Sequence, residues 1–368
     1  MWTRRSLAAG AVLLALVAGA CSGDDDAASS DTTAPAPTTT VVPTTTTVPP
    51  TTTTTRGPRG SGEAVTIAFG GDTHFEGVVG QKLGNDPTGM FAAIAPALSA
   101  ADLTMLNLET AITERGIPEP KTYTFRTPVS ALPALAGAGV DVVSMANNHG
   151  MDFGAEGLED SLVAKETSGF PIVGIGRTAA DAYAPYRVDI KGQRTAIIGA
   201  TQVLDASLES RWTATDTQAG LASAKHVERL VAAVVEARPT SDTVIVFLHW
   251  GIEEQTCPSG AQTDLARRLA DAGADVIVGG HAHRRQGAGR LGNAFVAYGL
   301  GNFIWYSPGG PGAQTGILTV TVTGREIDSY TWQPAVIRDG IPGLLDGQAA
   351  TDALAEWEGL RGCTGLTP

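Results

Sequence analysis

Basic residues are scarce: 25 Lys and Arg stand against 38 Asp and Glu, for a net charge of -13 over 368 residues. No basic stripe is present that could neutralise a run of phosphates, which excludes nucleic acid as the expected partner. Long apolar runs are scarce too. The one candidate, Leu7 to Ala18, is short for a membrane span, and no spanning run follows it. No internal repeat is visible. Cysteine occurs only three times and histidine only six. With 43% hydrophobic and 17% charged residues, the chain still holds enough apolar material for one large α/β domain or two small ones.

What is there begins with a targeting pattern. Arg4 and Arg5 form a charged start, Leu7 to Ala18 the apolar stretch, and Ala18-Gly19-Ala20 precede Cys21. Two processing routes fit. One lipidates Cys21 as a membrane anchor, and the other is ordinary cleavage after Ala20, which would release the chain. The polar Ser22, Asp24, Asp25 and Asp26 that follow favour the anchor. Residues 1–21 are thus expected as a signal segment and residues 22–62, rich in Thr and Pro, as an extended tether that cannot bury a core. Either route places the folded part, residues 63–368, outside the cytoplasm.

That location gives the other two cysteines a reading. Disulfides persist in oxidising compartments, so Cys257 and Cys363 are expected to pair, tying the C-terminal segment to the loop after His249. Two free buried thiols are the alternative.

From Glu63 onward, apolar runs alternate with helical stretches. Strands are expected at Val65–Phe69, Leu103–Leu106, Val140–Ser144, Pro171–Gly176, Arg194–Ala200, Thr243–Leu248, Asp275–Val278 and Ala294–Tyr298. Ile317–Val322 and Ser329–Pro334 read as a terminal hairpin. Helices are expected at Met90–Ala100, Val129–Ala138, His226–Ala237, Thr263–Ala272 and Asp352–Leu360. The stretch Thr201–Gly220 is polar and carries no pattern.

Five of the six histidines follow strands: His74, His149, His249, His281 and His283. His226 falls in a helical pattern and is expected on its exposed face. In open α/β sheets, ligands bind at the carboxyl ends of strands. A lone histidine near a core is usually structural, but five at strand ends point to a metal site. Asp72 and His74, two residues apart, offer a carboxylate and an imidazole to one ion. Glu109 is a candidate for a carboxylate shared by two ions. Asn148 offers a carbonyl oxygen, and His149 an imidazole for a substrate oxygen. Lys121, Tyr123, Phe125 and Arg126 lie together in a loop whose composition suits either recognition of an anionic group or an ordinary solvated loop.

The set Gly71-Asp72, Asn107-Leu108-Glu109, Phe125-Arg126, Asn147-Asn148-His149 with Asp152, His249-Trp250-Gly251, Gly280-His281-Ala282-His283 and Gly301-Asn302-Phe303 resembles the CapA family. These capsule or poly-γ-glutamate biosynthesis proteins belong to the calcineurin-like metallophosphatase superfamily. The resemblance implies a four-layer α/β/β/α sandwich of two mixed sheets with the site at their strand ends. It implies one or two divalent ions (Mn, Fe or Zn) held by Asp72, His74, Glu109, Asn148, His249, His281 and His283. His149, with Asp152, would protonate a leaving oxygen or steady a transferring phosphoryl group, and Arg126, Asn147 and Lys121 would meet the substrate. The sequence departs from the phosphatases at the second motif, where Glu109 stands in place of an Asp; the number of ions is therefore open.

Three functions are compatible with this pattern. One is a metal-dependent hydrolase of phosphoester or related bonds. Another is a non-catalytic surface component that handles an anionic polymer, with capsule-synthesis machinery as partner. The third is a glutamyl amide hydrolase or transferase. The near-complete ligand set favours the first.

Overall fold

The computed structural model describes residues 57–306 and 309–368. The signal segment, Cys21 and all but the end of the tether lie outside the described residues. Residues 57–62 already form turns against the domain, since the Gln193 side chain donates to the carbonyls of Arg59 and Glu63 and accepts from Ser61 N–H. The folded part therefore begins before residue 63.

Two mixed sheets build the domain. In the first, the strands Val65–Thr73, Leu103–Leu108, Val142–Ser144 and Ile172–Val173 run parallel in that order. Gln314–Thr323, Glu326–Arg338 and Ile341–Leu344 extend it antiparallel on the other side, and Asn302–Ile304 pairs with the end of Val65–Thr73. In the second, Gln193–Thr201, Thr243–Trp250, Val276–His281 and Ala294–Ala297 are parallel, edged by antiparallel Tyr186–Ile190 and Ala288–Leu291.

The period of two in these strands assigns each side chain to a layer. Ile67 and Phe69 share the inner core with Ile245, Phe247 and Val278 of the opposite sheet. Their neighbours Val246 and Leu248 point outward, onto Leu230 and Val234 of the Val227–Ala237 helix and Leu265 and Leu269 of the Gly260–Ala272 helix. On the other outer face, Leu106 and Val143 pack with Leu132, Leu135, Leu158 and Leu162 of the Ala131–Gly137 and Gly154–Thr167 helices. The result is the expected α/β/β/α sandwich.

Several expected elements change. Met90–Ala100 is helical only at Ala95–Leu98, because Pro96 lacks an N–H and is tolerated only in a first turn. Pro171–Gly176 splits at Gly174 (φ 88°) into Ile172–Val173 and Ile175–Gly176, which join different sheets. The helix expected from Thr263 starts at Gly260, fixed by a capping box between Ser259 and Gln262. Thr201–Gly220 contains the short Glu209–Trp212 helix, with Trp212 fully buried. The helices Val78–Asn85 and Gly154–Thr167 were not anticipated. His226 is exposed, just ahead of its helix.

The C-terminal helix, Gly347–Gly359, seats Trp357 flat on Trp332 of the first sheet, with ring centroids 5.0 Å apart. Beyond it, Cys363 is disulfide-bonded to Cys257, 106 residues earlier. A cross-link closing a loop of that length restricts the unfolded chain by an amount worth about 2–5 kcal/mol. Cys257→Ser with Cys363→Ser is therefore expected to lower stability by about that much in denaturant titration. A double variant as stable as the parent would remove this role.

Candidate metal centre

Register brings the site together. Asp72 lies opposite Asn107 in the first sheet, and His249 opposite Gly280 in the second, all at the carboxyl ends of parallel strands. Asp72 is completely buried and joins the sheets: its Oδ1 accepts from Asn107 Nδ2 at 2.8 Å and its Oδ2 from His281 N–H at 2.9 Å. Gly280 permits this approach, since a Cβ there would fall 2.2 Å from Asp72 Oδ1. The histidines beyond it have positive φ, 89° at His281 and 52° at His283. Such backbone is costly for a residue with a side chain and is held only when its surroundings enforce it.

Three groups of potential ligands converge, each with its donor atoms within 4.8 Å of one another: Glu109, His249 and His281; Asp72, Glu109 and His283; and Glu253, His281 and His283. Glu109 belongs to two of them. It is fully buried, and neither of its carboxylate oxygens has a hydrogen-bond partner. A carboxylate so placed carries a heavy desolvation cost unless a cation or proton meets it. His281 Nδ1 and His74 Nε2 are likewise buried without a partner. Asn107 donates to His249 Nδ1 at 3.0 Å, leaving the proton on Nε2. That nitrogen faces Asn148 Oδ1 at 2.7 Å and Glu109 Oε1 at 3.4 Å. A cation can replace a proton enclosed by acceptors in this way. Orphaned carboxylate and imidazole atoms, with mixed N and O donors, suit a transition ion.

The electrostatics fit the same reading. Burial drives Glu109 up, helped by the charge of Asp72, to about 8 despite nearby His283 and His149. Burial also pushes Asp72 up, but the hydrogen bond from His283 and the charges of His249 and His283 prevail and hold it at about 2. Desolvation depresses His249 to about 3 and His281 to about 2, the latter helped by its histidine neighbours. For His283, desolvation is outweighed by Glu109 and Asp72, which raise it to about 9.

His74 stands beside these groups rather than in one. Its ring stacks on Phe125 at 4.4 Å, meets Trp305 and Tyr306 edge-on, and its Nδ1 accepts from Glu76 N–H. Burial and the nearby His149 and His283 charges keep it well below the usual histidine range. His149 stacks on the other side at 4.1 Å from Phe125, donates from Nδ1 to Asp152 Oδ2 at 2.5 Å, and holds Nε2 3.9 Å from Glu109.

The residues expected at the substrate behave differently from one another. Lys121 is largely buried, with its ammonium 2.6 Å from Asp152 Oδ1 and also donating to the Asn148 carbonyl. Asn147 is buried, donating to Asn107 Oδ1 and the Leu108 carbonyl and accepting from His149 N–H. Both side chains therefore position neighbours instead of facing outward. Arg126 is exposed, its guanidinium over the Phe153 ring. Sequence reasoning gave no role to Asn107, Asn302 or Glu253. Asn302 accepts from His283 Nδ1 at 2.8 Å. Their only signals are place: Asn107 at a strand end, Asn302 after a glycine, Glu253 four residues past His249.

A family model described as "Bacterial capsule synthesis protein PGA_cap" matches residues 66–307. PGA biosynthesis protein CapA of Bacillus subtilis (strain 168) is 30% identical over 252 residues, covering 67% of this chain and 64% of the relative. Capsule biosynthesis protein CapA of Bacillus anthracis is 33% identical over 175 residues, covering 47% and 42%. Each alignment spans less than two thirds of the relative's own length. Among solved structures, a phosphatase from Mycoplasma pneumoniae superposes with TM-score 0.49 at 13% identity, covering 79% of this chain and 97% of that one. The family match runs from the first strand through Asp72, Glu109, His149, His249 and His283, so the chain belongs to the bacterial capsule synthesis protein PGA_cap family.

Proposed function

We propose that this protein is a metal-dependent hydrolase of phosphoester or related bonds, serving capsule or poly-γ-glutamate biosynthesis outside the cytoplasm and anchored through Cys21. The observation that carries this reading is Glu109, a fully buried carboxylate with two partnerless oxygens among His249, His281, His283 and Asp72. The names of the Bacillus relatives support the capsule context.

A divalent ion or ion pair held by Asp72, Glu109, His249, His281 and His283, with Asn148 beside His249, would stabilise charge on the scissile group and acidify a water. The chain supplies the rest. His149 Nε2 is the proton donor for a leaving oxygen. Asp152 fixes the ring through Nδ1, and Lys121 holds Asp152 in place through its ion pair with Oδ1. Phe125 stacks on His74 while Trp305 and Tyr306 meet it edge-on, so that an aromatic wall encloses the ring on that side.

Elemental analysis of the full chain is expected to find about one or two transition ions, reduced in Glu109→Gln and His281→Ala. A chain free of ions, with no gain in thermal stability on adding Mn, Fe or Zn, would reject the reading. On a chromogenic phosphodiester, His149→Ala is expected to lower kcat by about 10²–10⁴ while metal content stays unchanged. Equal kcat in the variant would remove His149 from the chemistry.

The metal-free chain should also show a stability maximum near pH 6.5. Below it, His249 and His281 must stay neutral in the fold, at about 3 and about 2, while the unfolded residues bind protons at 6.5, so stability falls with pH. Above it, Glu109 at about 8 and His283 at about 9 hold protons that the unfolded chain releases earlier, so stability falls as pH rises. Thermal melting in chelator between pH 5 and 9 checks both limbs; a bound cation should flatten the alkaline one, and a level metal-free profile would contradict it.

A further inference from the structure

We propose that Glu253 is a ligand on the solvent side of the centre, completing His281 and His283 as a set of two imidazoles and one carboxylate for a divalent cation. This rests on the metal reading above and extends it to a residue outside the motifs that carry the family resemblance.

The position of Glu253 is built, not incidental. The turn after the Thr243–Trp250 strand begins at Gly251 with φ 97° and passes through Glu254 at φ 66°. Glu254 N–H donates to the carbonyl of Ala282, the residue between the two histidines, at 2.8 Å. Arg284 then pairs with the Glu254 carboxylate. Further along, Gln286 Nε2 donates to the carbonyls of Gln255 and Cys257, and Cys257 is tied to Cys363. The turn is thus pinned at several points to the segment bearing His281 and His283. Glu254 is neutralised by Arg284, whereas no ion pair among the described residues holds Glu253.

The result is a carboxylate oxygen within 4.8 Å of a donor atom on each histidine. Of these two, His281 is buried and its Nδ1 has no protein partner. Such a trio of donors binds zinc with a fourth position left open. Since Glu253 is exposed, that open position faces solvent, the side from which water or substrate arrives.

The test uses the full chain, stripped of metal and titrated with Zn²⁺ against a chromogenic chelator. Glu253→Gln is expected to weaken one binding step by at least about tenfold, leaving any step at Asp72 and Glu109 unchanged. Glu358→Gln, an exposed charge removed from the C-terminal helix, is expected to bind as the parent does. Glu253→His, which restores a donor atom without the negative charge, is expected to recover most of the loss; a purely electrostatic role would leave it as weak as Glu253→Gln. Parent-like affinity in Glu253→Gln overturns the proposal. A parent chain that takes up no Zn²⁺ overturns the metal reading itself, and it does so before any substitution is made.

Discussion

A single buried carboxylate joins the halves of this molecule. Asp72 ends the central strand of the first sheet, yet its Oδ2 accepts the backbone N–H of His281 in the second. Its Oδ1 takes Asn107, whose amide in turn reaches His249 Nδ1. Candidate ligands and the positioning amide of Asn107, from four strands and two sheets, are thereby locked to one another through one side chain. Burying a charge this deeply is tolerable because Asn107, the His281 N–H and His283 meet it with donors. The glycine at 280 is part of the same constraint, since nothing larger leaves room for the carboxylate.

A second hub lies behind the first. Asp152 accepts from His149 Nδ1, from Phe125 N–H and from Lys121, and its own carbonyl accepts from Glu119 N–H. Glu119 pairs outward with Arg211, and Lys121 sits over the Trp212 ring. The loop of residues 118–126 is therefore stapled between the His149 imidazole and the short Glu209–Trp212 helix. Its apparent looseness in sequence conceals a role as a clamp on the His149 ring.

The sandwich was legible where physics leaves little choice. Thr243–Leu248 and Val276–Val278 are buried on both faces, so they read as unbroken apolar runs, and the histidines that end them were visible as an anomaly. Tyr186–Ile190 escaped because it is a half-exposed edge strand with only weak alternation. The Gly154–Thr167 helix escaped because glycine opens it and charged residues dilute its apolar stripe. At the site, residue types that bind metals stood out by chemistry. The positioning amides did not, since Asn107 and Asn302 acquire their meaning only from neighbours far along the chain. The expectation of Lys121 at the substrate fails because sequence shows a charge but not the direction in which its side chain turns.

That inward turn bears on how an anion could be recognised. Lys121 is neutralised by Asp152, Arg284 by Glu254 and Arg285 by Glu356. In a chain of net charge -13, these fixed positive groups near the centre are already committed to internal partners. On the metal reading, a bound cation would add positive charge at the strand ends beside exposed Arg126, where Lys121, Arg284 and Arg285 are already paired. On that reading, occupancy by a cation would set the sign of the local field at the strand ends, and its loss would leave the carboxylates of Asp72 and Glu109 to dominate there.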